Sequence, residues 1–219
     1  FISGLSKKML IANTLGSVAD KIFSQPVEQF DALTAWTGAF AYSLQLFYDF
    51  SGYSDMAIGL GMIFGFRFLE NFNYPYISRS ITEFWRRWHI TLGKWFRDYV
   101  YIPLGGNRKG FVIMVRNLLT VWLLTGFWHG ADWNFLLWGL LLFALISIEK
   151  MGLGRILNRF PAAGHLYMAL VIPLNWLVFA ISQPPQILIY LQRLFPFFTA
   201  PGTYTWFEGD YLKYGRIYG

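Results

Sequence analysis

The sequence predicts an all-α fold: a polytopic transmembrane helical bundle with re-entrant and interfacial amphipathic helices, forming one membrane domain over residues 1–219. Three observations predict it. Of 219 residues, 55% are hydrophobic and 21% aromatic, while only 14% are charged, against roughly 25% charged in soluble globular chains. Apolar runs recur between the sparse charges, close to the ~20 residues that cross a ~30 Å hydrocarbon core. The net charge of +6 is confined to residues 79–116, which hold eight basic and two acidic side chains, leaving the remainder neutral. The same composition excludes disorder, collagen-like repeats and a coiled coil. With no Cys in the chain, disulfides, thiolate metal sites and a cysteine nucleophile are excluded as well.

Element by element, residues 1–30 mix apolar positions with Lys7, Lys8, Asp20 and Lys21 and are expected to lie along the membrane surface. They lack the charged region, short apolar core and small-residue cleavage site of a signal peptide. Residues 32–48 carry no charge and read as a spanning helix. The polar stretch Asp49-Phe-Ser-Gly-Tyr-Ser-Asp55 then interrupts the apolar run. Because residues 56–66 are too short to cross alone, a re-entrant or broken helix is expected there, with Gly61 and Gly65 offering a small-residue face. Residues 112–128 predict a helix that carries Arg116 and Asn117, turning at Gly130 into a second over residues 133–148, closed by Glu149 and Lys150. A third follows over residues 165–182 with Pro173 inside. Gln183-Pro-Pro185 stops it, and residues 186–198 predict a short interfacial amphipathic segment. No internal repeat or low-complexity tract is visible.

The basic segment admits three readings: a cytoplasmic loop obeying the positive-inside rule, a surface for anionic lipid, or a dock for a phosphate-bearing ligand. Nucleic acid is set aside as a partner, because apolar runs of membrane type flank the segment on both sides.

Residues 82–99 carry the most information. On a helix, Trp85, Trp88, His89, Leu92, Trp95, Phe96 and Tyr99 recur at i, i+3, i+4, i+7, opposite Glu83, Arg86, Arg87, Lys94, Arg97 and Asp98. His89 then sits on the aromatic face, which suits a neutral imidazole able to accept a proton or position a partner. On spacing alone, a core histidine bonded to backbone is the simpler reading. His129 closes an apolar helix within Thr125-Gly-Phe-Trp-His-Gly-Ala-Asp-Trp133. An ionisable side chain at membrane depth is a functional hypothesis by default, and Gly126 and Gly130 leave room for a substrate. Trp128 and Trp133 equally suit an interfacial belt, which would make His129 less unusual. Asp55 is placed to cap a helix from Met56, whereas Asp49 has no such role and is a candidate to orient a basic group. The turn at residues 102–110 is either an ordinary Gly-Gly-Asn turn or a phosphate cradle with Arg108 or Lys109. Hydrolase, zinc-protease and P-loop motifs are missing.

Taken together, Tyr48-Asp-Phe-Ser-Gly-Tyr-Ser-Asp55, Glu70-Asn-Phe-Asn-Tyr-Pro-Tyr76, Glu83-Phe-Trp-Arg-Arg-Trp-His-Ile90, Trp95-Phe-Arg-Asp-Tyr99, Tyr101-Ile-Pro-Leu-Gly-Gly-Asn-Arg108 and Phe127-Trp-His-Gly130 resemble the bacterial membrane-bound O-acyltransferase superfamily. The likeness is strongest to its alginate O-acetyltransferase branch, which includes peptidoglycan O-acetylation proteins. The motifs run in the family's order, and the resemblance covers nearly the whole chain. It implies that His129 is the catalytic histidine and His89 a second functional one. Trp128, Trp88, Arg86, Arg87, Asp49, Asp55 and Asn117 form the expected supporting or donor-binding set. The resemblance also implies a tunnel joining the cytoplasmic and outer faces, and a chain that is the C-terminal part of a longer protein lacking the N-terminal helices.

The implied activity is transfer of an acyl group, acetyl in the first instance, to an exported polysaccharide such as alginate or peptidoglycan. The donor would be acyl-CoA or an acyl carrier thioester, with no metal and no tightly bound cofactor. The expected setting is the bacterial cytoplasmic (inner) membrane. The expected partners are membrane lipid and a periplasmic or extracellular acceptor, either a polysaccharide or an acetyl-acceptor protein resembling SGNH hydrolases. Two rivals use the same composition: a polysaccharide export or flippase component, and a non-catalytic scaffold of the acetylation machinery.

Overall fold

The computed structural model describes residues 1–195, and each regular element among them is helical. Residues 196–198 of the expected interfacial segment, and the part of the single domain that follows, lie outside the described residues.

Helix α1 (Ile2–Ser6) continues through a π-helical stretch, Lys7–Ala12, into α2 (Asn13–Phe23). Residues 1–30 do not lie apart along a surface. They run antiparallel to α3 (Ala32–Ile63): Phe1 sits at Gly59, Gly4 at Gly52 and Met56, Gly16 at Gln45, and Ile22 at Gly38. Small residues on both rods let the backbones approach, the packing that lipid-embedded helices favour.

That contact explains a second departure. Residues 49–55 do not break the helix; α3 runs 32 residues without interruption, about 48 Å at the standard rise. Ser51, Gly52 and Ser54 are buried, and Gly52 packs on Gly4, so the Gly and Ser taken as breakers serve close packing instead. Asp55 caps nothing: it lies inside α3, paired with Lys7 at 2.6 Å, while Lys8 holds Asp49 at 2.7 Å. The N-terminal cap of α3 is Asp31, whose carboxylate accepts from the Thr34 N–H at 2.6 Å.

After a loop and a short 3₁₀ turn (Pro75–Ile77), residues 82–99 form two helices rather than one. Helix α4 (Ile81–Arg87) stops at Trp88, and α5 (Ile90–Phe96) leads into a π-helical turn, Arg97–Tyr101. The hairpin expected next is present as α6 (Phe111–His129) and α7 (Trp133–Ile148), turning at Gly130. A π-helical stretch (Glu149–Leu153) and α8 (Gly154–Arg159) extend α7. Then come α9 (Pro161–Ala180), with Pro173 buried inside it, and α10 (Pro184–Leu194), which the prolines open rather than merely precede. Among the described residues, three helices are long and apolar enough to cross a membrane: Phe111–His129, Trp133–Arg159 and Pro161–Ala180.

Two cores hold these parts. The larger joins α4, α6, α7 and α9 through Phe84, Trp88, Trp122, Trp138 and Trp176. The smaller seats the apolar face of α10 on α2 and α3, where the Tyr190 hydroxyl donates to the Ala35 carbonyl at 2.8 Å.

Candidate functional site

His129 is the last residue of α6, and its half-buried ring is walled by aromatic side chains. Trp138 and Phe179 meet it edge-on, each at 5.1 Å between centroids, Trp128 lies at 4.7 Å, and Phe135 stacks at 6.3 Å. This enclosure depends on two glycines. A Cβ on Gly126 would lie 2.5 Å from the Phe135 carbonyl oxygen, and one on Gly139 would run into the Trp122 carbonyl. Without side chains at those positions, α6 and α7 touch backbone to backbone, and the residues of α7 reach His129.

His89 occupies the break between α4 and α5 in a left-handed conformation, φ 45° and ψ 53°. For a non-glycine residue this costs of order 1–3 kcal/mol, which surrounding contacts must offset. They do so here: the Asn71 carbonyl accepts the Ile90 N–H at 3.0 Å, and the Asn73 N–H donates to the Arg87 carbonyl at 2.9 Å. The Asn71 side-chain oxygen lies 3.2 Å from His89 Nδ1, and Phe50 of α3 meets the ring edge-on at 4.8 Å. Burial pushes the imidazole down from 6.5 to about 4, so it is neutral near pH 7.

The aromatic core joins the two histidines. Trp88, beside His89, lies 5.0 Å from Trp176, and Trp176 lies 5.8 Å from Phe179, which walls His129. Trp85 reaches Trp122 at 5.1 Å and Trp138 at 5.6 Å. Helix α4 starts against Glu149, at the far end of α7, and carries Trp85 to the middle of α6 and α7. It therefore enters between these helices from the charged end and stops at Trp88, where the left-handed His89 breaks the helix.

At that charged end lies a cleft of about 530 Å³, lined by Arg79, Arg86, Arg87 and Lys150 with Glu83, Glu149 and Asn158. Arg87 is bound to Glu83 at 3.0 Å and to the Asn73 carbonyl at 3.2 Å. Among the described residues, Arg79, Arg86 and Lys150 make no ion pair. Such a cleft complements a phosphate. No group of three His, Cys, Asp or Glu able to hold a metal occurs among the described residues.

The profile of the membrane-bound O-acyltransferase family, MBOAT, matches residues 1–192. The chain belongs to this family. It is 50% identical over 180 residues to a Pseudomonas putida protein named probable alginate O-acetylase AlgI, covering 82% of this chain and 37% of that protein. It is 47% identical over 150 residues to the peptidoglycan O-acetyltransferase of Helicobacter pylori, covering 68% of this chain and 28% of that one. A more distant relative is the teichoic acid D-alanyltransferase of Bacillus subtilis, 39% identical over 108 residues. The chain spans little more than a third of the length of the alginate O-acetylases it matches.

Within this MBOAT chain, the structure gathers part of the expected set. His89, Trp88, His129 and Trp128 share the aromatic cluster, and Arg86 and Arg87 line the charged cleft. Asp49 and Asp55 are spent on Lys8 and Lys7 along the α1–α3 contact, with Gln45 also donating to Asp49 at 3.3 Å. Asn117 is a loop anchor: its amide nitrogen donates to the carbonyls of Leu104 at 3.2 Å and Gly106 at 3.0 Å, and Arg116 donates to the Leu104 carbonyl at 3.0 Å. These bonds fix the turn at residues 102–110, where Gly105 and Gly106 take positive φ. Sequence reasoning assigned no part in the site to Asn71, Phe50, Phe179 or Glu149, the last of which it read only as closing a helix. Asn71 and Phe50 carried a signal by standing in the Glu70–Tyr76 and Tyr48–Asp55 motifs.

Proposed function

We propose that the protein to which this MBOAT chain belongs transfers an acyl group, acetyl in the first instance, from a cytoplasmic thioester to hydroxyls of an exported polymer. The observation that carries this is the convergence of His129 and His89, from separate elements, on one aromatic cluster at the inner end of a helix that begins beside the charged cleft. Arg79, Arg86 and Lys150 suit the phosphates of coenzyme A or a phosphopantetheine carrier, placing the donor at the end of the molecule assigned to the cytoplasm by the positive-inside rule.

In the reaction, the acceptor hydroxyl oxygen attacks the thioester carbonyl while His129 takes its proton. The C–S bond then breaks, and the proton passes to the leaving thiolate. His89 positions the reacting groups. The hydroxyl belongs to the polysaccharide itself or to an intermediary acceptor protein outside the membrane. The relatives named for alginate, peptidoglycan and teichoic acid support an exported polymer as the final acceptor.

The test expresses the complete gene product and its His129→Ala variant in a strain lacking the gene, and measures ester-linked acetate with total polymer. Acetate is expected to fall by at least about a hundredfold, the lower range of a general base, with polymer unchanged. Wild-type acetate in the variant refutes the role of His129. Loss of the polymer itself would move the protein to the export class.

A further inference from the structure

Asn71 lies in the loop between α3 and α4, in a stretch the proposed chemistry leaves unused. Its side-chain oxygen lies against three polar groups: the Thr91 N–H at 3.2 Å, the Thr91 hydroxyl at 2.9 Å and His89 Nδ1 at 3.2 Å. A backbone N–H can only donate, so the Asn71 atom facing Thr91 is the carbonyl oxygen and not the amide nitrogen. Two bonds from Thr91 thus fix the orientation of the amide independently of the histidine. A ring nitrogen directed at that oxygen carries the hydrogen, and in a neutral imidazole the other nitrogen is then a bare lone pair. His89 Nε2 makes no hydrogen bond to protein among the described residues.

We infer that Asn71 is a positioning residue that fixes His89 as the Nδ1–H tautomer and makes its Nε2 an acceptor at the reacting centre. The inference rests on the acyltransferase reading and adds a restriction to it. Held in this way, His89 takes a hydrogen bond or a proton through Nε2 and does not donate one to a developing oxyanion. The neighbours leave this assignment to Asn71: α3 presents Phe50, which has no hydrogen-bonding group, and α5 presents Thr91, which is bound to Asn71 itself.

The tautomer is read directly by ¹⁵N NMR of histidine-labelled complete protein in detergent, with the His89 signals assigned by difference from His89→Gln. Acyl transfer is measured in parallel in membranes, using acetyl coenzyme A and O-deacetylated envelope polymer as the probe pair. In the wild type, Nδ1 is expected to be protonated and Nε2 bare. Asn71→Ala admits the other tautomer and loses at least about tenfold in transfer, because the wrong tautomer turns an acceptor into a donor. Asn71→Asp keeps the acceptor oxygen and so restores the Nδ1–H form. Its carboxylate stabilises the imidazolium and moves the acidic limb of the pH profile upward, a shift that a merely structural role would not produce.

A wild-type spectrum with the proton on Nε2 overturns the inference, even if the alanine variant fails to fold. A folded Asn71→Ala protein with unchanged tautomer and transfer overturns it as well. If wild-type membranes transfer no acetate while Nδ1 remains protonated, the acyltransferase reading fails and the assignment of Asn71 stands.

Discussion

At Glu149 three donors converge on one buried carboxylate: the N–H groups of Ile81 at 2.6 Å and Thr82 at 2.9 Å, and the Thr82 hydroxyl at 2.6 Å. The carboxylate belongs to the end of α7, the donors to the first turn of α4, so one residue fixes where α4 enters and therefore where His89 ends up. Whichever way it turns, the Glu149→Gln amide would set its NH₂ against the N–H of Ile81 or of Thr82, each of which can only donate. A buried donor left unsatisfied costs about 1–3 kcal/mol, so the variant is expected to unfold at a lower temperature in detergent and to transfer less acetate. Unchanged thermal unfolding would show that α4 is held by its aromatic packing alone. Such residues were hard to read in advance. His89 and His129 announce themselves as ionisable groups among apolar ones, whereas Glu149 acts on partners 67 and 68 positions away and Asn71 on one 18 positions away, separations that no local pattern records.

Among the elements, the α6–α7 hairpin was legible almost to the residue, because a long apolar run, a glycine turn and a second apolar run leave few alternatives. The departures at residues 49–55 and 82–99 share a cause: side-chain pattern does not dictate backbone course. Aromatic periodicity through residues 82–99 is continuous, yet the helix breaks at His89, where hydrogen bonds from the Asn71 loop offset the cost of a left-handed residue. The Gly and Ser of residues 49–55 signal a break or a close helix contact equally well, and the opposing Gly4 decides for contact. The α6–α7 crossing has a sharper consequence. Gly139→Leu places a side chain against the Trp122 carbonyl and is expected to separate the two helices at a cost of about 1–3 kcal/mol, the usual range for overpacking. It would also draw Trp138 away from His129. Thermal unfolding and acetate transfer should both fall, with Gly139→Ala milder in each. A leucine variant that unfolds at the wild-type temperature would mean the helices do not touch there in the membrane.

Across the whole molecule, the order of helices sets the sidedness of the site. Arg108 and Lys109 precede α6, Lys150, Arg155 and Arg159 follow α7, and the hairpin turn at Gly130 joins the opposite ends. All five cations therefore sit at one end of the hairpin, the charged cleft with them, while Asp132 marks the other. The positive-inside rule predicts the cleft on the cytoplasmic face and the turn on the outer one, the polarity that the proposed donor and acceptor require. The sequence concentrated its charge in one segment, but that Lys150 and Arg79 share a cleft depends on α4 meeting the end of α7, which only the tertiary structure shows. Because this chain contains no Cys, single cysteines replacing Lys109, Asn158 or Asp132 in a cysteine-free version of the complete protein report sidedness directly. A membrane-impermeant maleimide applied to intact spheroplasts is expected to label Asp132→Cys, and to reach Lys109→Cys and Asn158→Cys only after the membrane is opened. Labelling of Asp132→Cys and Lys109→Cys from the same side would remove α6 from the set of spanning helices, and with it the route proposed for the acyl group.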